Sequence, residues 1–256
     1  MPPPKEIDRS LLIEGLGKGL RIIELFSDDH PRLTATEAGA LAGLTRTAAR
    51  RYLLSLVHFG YADTDGKHYW LLPAILRLGQ SYLEAARLPR LVRPFLQRLS
   101  MQTGETANLS VLDGHEIVYL ERSNSPRVVS IGFHPGARTH AHVVAAGFAI
   151  LSTLPRPELD AWISGHEFGR FTPDTITDPD EFRAAVLAAQ QMGYGYVKQY
   201  IDIGLAGVAA ALFDRHGRCV GAISITFQTQ LYPDDSALTR LLPGLQEVVK
   251  VLREII

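Results

Sequence analysis

The chain has 256 residues and a formal net charge of −1, with 46% hydrophobic and 21% charged residues. These values exclude a disordered or low-complexity chain, and the length predicts roughly 1.7 domains. A single cysteine, Cys219, excludes a disulfide framework and a thiolate zinc cluster. No apolar run approaches the roughly 18 residues of a membrane span, and MPPPKEIDRS lacks a signal peptide's apolar core, so a cytoplasmic protein without membrane partners is expected.

After a proline-rich tail, residues 14–26 carry apolar side chains at helical spacing: Leu16, Leu20, Ile23 and Phe26, widened by Ile22 and Leu25. Thr34-Ala35-Thr36-Glu37 reads as a capping box that starts a short helix ending near Gly43. Thr45 caps a second helix over 46–59, and Gly60 stops it. Asp65-Gly66 between two aromatic-containing stretches predicts a two-residue hairpin turn. Residues 74–103 read as helical, broken at Pro89 and Pro94. Short β-rich runs follow at 108–112, 117–121 and 128–133, then helices over 142–153, 157–165 and 179–192, the last capped by Asp178 and closed by Gly193. Strands at 194–199, 206–213 and 219–227 precede a final helix over 234–256. The order predicts an α+β domain with one central sheet.

The helix pair around Ala42-Gly43-Leu44 is a helix-turn-helix pattern, and with the hairpin it makes a winged one. In its second helix Ala48, Tyr52, Leu53 and Leu56 are expected to pack inward. Thr45, Arg46, Thr47, Arg50 and Arg51 then face outward. Residues 38–62 hold three arginines and no acid, a local positive patch in a neutral chain. Arginine suits guanine edges and phosphates, so double-stranded DNA is the expected partner, with Thr34 at the first helix start and Lys67 at the hairpin tip as further contacts. A helix-turn-helix that docked on protein would show aromatic anchors instead. The stretch 73–103 is also basic, with Arg77, Arg87, Arg90, Arg93 and Arg98 against Glu84 alone. Its arginines could touch the DNA backbone, but are rather expected to be solvated or to bridge to acids of another domain or subunit.

GLGKGLRIIELF and PRLTATEAGALAGLTRTAARRYLLSLVHFGY resemble the start of the IclR family of bacterial transcription regulators. TGETANLSVLDGHEIVYLERS, TPDTITDPDEFRAAV, the segment around Asp202-Ile203-Gly204-Leu205 and GRCVGAISIT resemble that family's effector-binding domain, in family order over almost the whole chain. TRTAARRYLL is most similar to the PcaR/PobR branch, regulators of aromatic-acid catabolism. The resemblance implies a winged helix-turn-helix domain over 1–72, linker helices over 73–103 and a GAF-like effector-binding and oligomerisation domain over 104–256. It implies a homodimer, or a dimer of dimers, that binds an operator and answers to a small organic acid. It also implies population shift as the mechanism, the linker carrying the change to half-site spacing. Ala145, Ala146, Val197, Gly207, Ser224 and Thr226 match the family's effector-pocket positions. Ser224 and Thr226 fall on one face of a strand by period-two alternation. Two departures stand out. The family's Gly-Leu-Arg-(Ser or Cys) is here Gly204-Leu205-Ala206-Gly207, and an acid of some members aligns with Val197. A less polar pocket, suited to an apolar or aromatic effector body, is expected.

The other signals are weaker. His134, His140 and His142 cluster in one loop, but no Cys or carboxylate completes a metal set, so they are read as loop histidines and neither metal nor cofactor is expected. Gly15-Leu16-Gly17-Lys18-Gly19 lacks the ending of a phosphate loop, and there is no Gly-x-Ser-x-Gly elbow. Cys219 is expected to be a buried strand residue. A hydrolase or metal-dependent lyase would need a catalytic set, which is not found, so no enzyme is expected.

Overall fold

The computed structural model describes residues 7–125, 134–233 and 236–256. The chain forms two compact units divided between Ala85 and Ala86. The first contains α1 (Glu14–Glu24), β1 (Leu33–Thr34), α2 (Ala35–Ala42), α3 (Arg46–His58), β2 (Ala62–Thr64), β3 (His68–Leu71) and α4 (Leu76–Ala85). The expected capping box is present. The Glu37 amide donates to Thr34 Oγ1, and the Thr34 amide donates to the Glu37 carboxylate at 2.7 Å. Gly43 closes α2 with a left-handed φ of +66°. Thr45 Oγ1 then caps α3 by accepting from the Ala48 amide at 3.2 Å.

Three local expectations shift. In α1 the buried side chain is Ile22, with Leu25 and Phe26 packed beside it, whereas Leu16 and Leu20 are exposed. Only the C-terminal end of α1 reaches the core of this unit. In α3 the buried stripe is Ala49 and Leu53, flanked by Tyr52, Leu56 and Val57; Ala48 is half-buried. One position of rotation separates the two stripes, which periodicity alone does not resolve. The hairpin turn is longer than two residues. Thr64 pairs with Tyr69, and the intervening loop is held by Asp65 Oδ1, which accepts from the Lys67 and His68 amides.

The second unit begins with α5 (Arg87–Thr103), so the stretch 73–103 is divided between the units. The helix break falls at Ala86, and α5 runs through Pro94. Next come β4 (Thr106–Asp113), β5 (Glu116–Ser123), β6 (Arg138–His140), α6 (Ala145–Leu151), α7 (Arg156–Ser164), α8 (Pro179–Met192), β7 (Gly195–Lys198), β8 (Leu205–Phe213), β9 (Cys219–Gln228) and α9 (Ala237–Ile255). The expected strand at 128–133 lies outside the described residues. The short β6 went unpredicted; Arg138 ties it to β5 and its turn through Glu116 and Asp113. The expected helix at 142–153 is a 3-10 turn, Ala141–Val143, followed by α6.

The strands form one antiparallel sheet in the order β6-β5-β4-β9-β8-β7. Alternation along each strand sorts side chains between two faces. Ile223, Ile225 and Phe227 of β9 join Leu96 and Leu99 of α5 and Leu245 of α9 in one core. Ala222 faces the other way, into a second core with Phe148 of α6, Ile163 of α7 and Phe182 of α8. Ser224 and Thr226 share the face of Ala222. Arg93 pairs with Glu121 at 2.8 Å, an ion pair between α5 and the sheet of its own unit. Cys219 is half-buried at the start of β9.

The entry to α6 is tight. A Cβ on Gly147 would stand 1.9 Å from the Ala141 carbonyl oxygen, whereas one on Gly17 of α1 would meet nothing within 4 Å. Gly147→Ala is expected to destabilise the protein by about 1–3 kcal/mol or more, through forced backbone movement. Gly17→Ala is expected to be neutral or stabilising by up to about 1 kcal/mol, through helix propensity. Chemical denaturation of the full chain checks both.

Candidate functional site

The first candidate surface is on α3. Arg46, Thr47, Arg50 and Arg51 are exposed there, and none of the three arginines makes an ion pair with a described residue. Their charge is therefore available to an anion. Thr45 and Thr34 are engaged as helix caps, which leaves each hydroxyl proton free to donate elsewhere. Lys67 is exposed at the tip of the hairpin. Beside it the His68 and Lys67 amides hold the Asp65 carboxyl far below the usual carboxylate range. The tip is therefore an internally bonded loop that presents Lys67 outward.

The second candidate is a narrow, half-open cavity in the C-terminal unit, with about 30 Å³ of room for the centres of water-sized molecules. Ala145, Ala146, Val197, Gly207, Ser224 and Thr226, the six positions selected from the sequence, all line it. The sheet register explains why. Val197, Gly207 and Thr226 are neighbours in one row across β7, β8 and β9, and Ala209, Ser224 and Asn108 in the next across β8, β9 and β4. Over these rows lies the start of α6. It comes so close that a Cβ on Gly195 would be 2.4 Å from the Ala145 carbonyl oxygen.

Several lining residues escaped the sequence reading: Tyr119, Val143, Val144, Tyr200, Ile201 and Leu205. They come from a strand interior, the 3-10 turn and the residue after it, a loop and the first residue of β8, where no periodic signal singles them out. Burial pushes the Tyr119 and Tyr200 phenols up from their ordinary range, so both are neutral hydroxyls. The loop carrying Tyr200 and Ile201 is pinned from outside. Thr172 Oγ1 donates to the Gln199 carbonyl and Thr175 Oγ1 to the Tyr200 carbonyl, at 2.5 and 2.6 Å. This gives the first two threonines of TPDTITD, Thr172 and Thr175, a structural role.

No described residue lining the cavity is charged. Its polarity comes from Ser224 and Thr226, with Asn108 beside them donating to Thr226 Oγ1 at 3.4 Å. Asn108 Oδ1 and Ser110 Oγ are buried without a hydrogen-bond partner on this same strand face. Reading across the strand register from Ser224 finds Asn108; reading along one strand does not.

Of the loop histidines, His134 stands apart and exposed. His140 and His142 are joined instead by His166, which follows α7. His142 Nε2 lies 2.9 Å from the Gly169 carbonyl oxygen, so that nitrogen carries the proton. His166 Nε2 in turn donates to His142 Nδ1 at 2.7 Å. Trp162 stacks on His166, with Phe168 edge-on to it.

Over residues 15–66 the chain matches the IclR helix-turn-helix domain, and over residues 80–252 the family described as bacterial transcriptional regulator IclR C-terminal. The chain belongs to the IclR family. It is 35% identical to the p-hydroxybenzoate hydroxylase transcriptional activator of Acinetobacter baylyi, over 98% of this chain and 95% of that one. It is 33% identical to the Pca operon regulatory protein of the same organism, over 95% and 89% of the two chains. The inducer-binding domain of a PobR double mutant from Acinetobacter, solved with 3-hydroxybenzoic acid, matches it with a TM-score of 0.63 at 31% identity, covering 67% of this chain and 100% of that one.

As a member of this family the chain combines a DNA-binding helix-turn-helix domain with a C-terminal effector-binding domain, and it is a transcription regulator rather than an enzyme. The likeness to the aromatic-acid branch expected from one helix extends through the whole chain. No described helix is long and apolar enough to cross a membrane. Ala206 and Gly207, noted as a departure in the sequence, both stand in the cavity wall.

Burial, and then the neighbouring imidazoles, lower the His166 pKa from 6.5 to about 4. Between these values the unfolded chain binds the proton and the folded chain does not, so stability rises with pH. The contribution is complete above pH 6.5 and lost as pH falls toward about 4. Thermal melts across this window are expected to show a falling midpoint in acid, and His166→Gln is expected to flatten the slope.

Proposed function

We propose that this regulator binds its operator through α3 and the hairpin, and that an organic acid with an aromatic or similarly apolar body, drawn from a catabolic pathway, is its effector. The observation that carries the effector reading is the uncharged cavity, walled by Ala145, Ala146, Val197 and Gly207, with Ser224 and Thr226 in its lining. A benzene ring would bury apolar area against such walls, and an aliphatic acid of two or three carbons has little such area to offer. The two hydroxyls suit a carboxylate or a phenol oxygen. The hydroxybenzoate named for the PobR inducer-binding domain and the p-hydroxybenzoate hydroxylase named for the Acinetobacter activator are consistent with this reading.

On the DNA side, Arg46, Thr47, Arg50 and Arg51 offer base and phosphate contacts. Thr45 and Thr34 supply helix-start hydroxyls, and Lys67 a phosphate contact from the hairpin. A two-fold dimer would set paired α3 helices about 34 Å, one turn of DNA, or a multiple of that apart. Effector binding would then favour one arrangement of the dimer, or of a dimer of dimers, over another.

Calorimetry against hydroxybenzoates and against glyoxylate-sized acids tests the effector reading. Aromatic acids are expected to bind; tight binding of the small acids alone overturns it. Gel-shift titration on a fragment of the protein's own promoter tests the interface. Arg50→Ala is expected to cost about 1–3 kcal/mol of operator binding, the value of one bidentate base contact. Unchanged binding removes Arg50 from the interface.

A further inference from the structure

The histidine cluster beside the effector cavity belongs to neither activity. We propose that His140, His142 and His166 form a binding site for a divalent transition-metal ion of the zinc class, which clips the entry of α6 to the end of α7.

Donor placement is the first ground. One nitrogen from each of the three rings lies within 4.8 Å of the others. Tetrahedral zinc, with bonds of about 2.0–2.1 Å to imidazole nitrogen, holds its ligands about 3.3 Å apart. His142 and His166 already approach to 2.7 Å, and His140 is exposed and able to turn toward them.

The second ground is the proton arrangement. The Gly169 carbonyl fixes the proton of His142 on Nε2, leaving a lone pair on Nδ1 that points into the cluster. A ligating histidine that donates its other ring N–H to a backbone carbonyl is the usual outer support of a metal site. Without an ion, His166 Nε2–H occupies that lone pair. With one, the hydrogen bond breaks, the His166 proton moves to Nδ1 by exchange with water, and both nitrogens coordinate. No net proton is released, and the ion sheds three waters for three imidazoles.

The chemistry of the donors is the third ground. The set contains only nitrogen, which selects zinc, cobalt, nickel or copper over magnesium or calcium. Trp162, Phe168 and Phe171 surround it with aromatic surface. Behind His166 stacks His115, whose Nδ1 is buried without a partner. Three imidazoles leave a fourth position open.

Position gives the site a consequence. His140 ends β6, and His142 sits in the Ala141–Val143 turn that leads into α6. Val143, Val144, Ala145 and Ala146 then line the effector cavity. An ion here fastens the residues that shape one wall of that cavity. The site stands on its own donors, whichever effector the cavity accepts.

The test uses full-length protein stripped with chelator and titrated with zinc chloride against a competing indicator, and in parallel with cobalt chloride. The expected results are one ion per chain, the visible d–d bands of four-coordinate cobalt, and a raised melting temperature with zinc. His140→Ala alters an exposed side chain and is expected to weaken zinc by at least about tenfold while leaving the metal-free melt unchanged. His166→Gln is expected to weaken it similarly, and His134→Gln to leave it unaltered. Substoichiometric metal overturns the proposal. So does stoichiometric metal whose affinity neither His140→Ala nor His166→Gln reduces.

Discussion

The start of α6 approaches the central sheet more closely than a methyl group permits, and the effector-binding domain is organised around that contact. Gly195 on β7 faces the Ala145 carbonyl at a distance where only hydrogen fits, and Gly147 lets α6 close equally tightly on the Ala141 carbonyl of its own lead-in turn. Small residues on both sides, Ala145 and Ala146 above and Gly207 and Ala209 below, bring backbone to backbone. The cavity is the space left where this approach opens toward Val197, Tyr200 and Leu205. Its depth follows from missing side chains rather than from charged ones. Selection of a ligand would therefore rest on shape, apolar area and hydroxyl geometry.

The other unit works by the opposite physics. Arg46, Arg50 and Arg51 of α3 are exposed and without ion-pair partners among the described residues. A phosphate backbone would meet them through long-range, salt-screened attraction. A net charge of −1 conceals this division of labour, with a local positive face on α3 and a cavity without charge.

Local chemistry made much of this legible in the chain. Thr34, Thr45 and Asp178 each cap the helix they were expected to cap, because a hydroxyl or carboxylate three residues from an unbonded amide has few other uses. Gly43 and Gly193 end helices in left-handed conformations. Strand alternation placed Ser224 and Thr226 on one face, and resemblance supplied the α6 and β7 positions opposite them. What escaped was set by neighbours distant in sequence. The α1 stripe turned on which end of that helix reaches the core. Asn108 becomes a cavity neighbour only because β4 pairs with β9. The division of 73–103 depends on α5 packing against the sheet.

The histidines give the clearest contrast. His-x-His at 140–142 is visible in the chain, but it is two donors and an ambiguous signal. The third donor, His166, lies beyond α6 and α7, and only the packing of α7 beside the α6 entry brings it within reach. By itself the sequence determined most of the elements, their caps and the arginine face, since those follow from short-range bonding and periodicity, and family resemblance added the cavity positions. Tertiary structure alone decided which side chains from separate elements share a volume, because that depends on sheet register and on close approaches that no local pattern encodes.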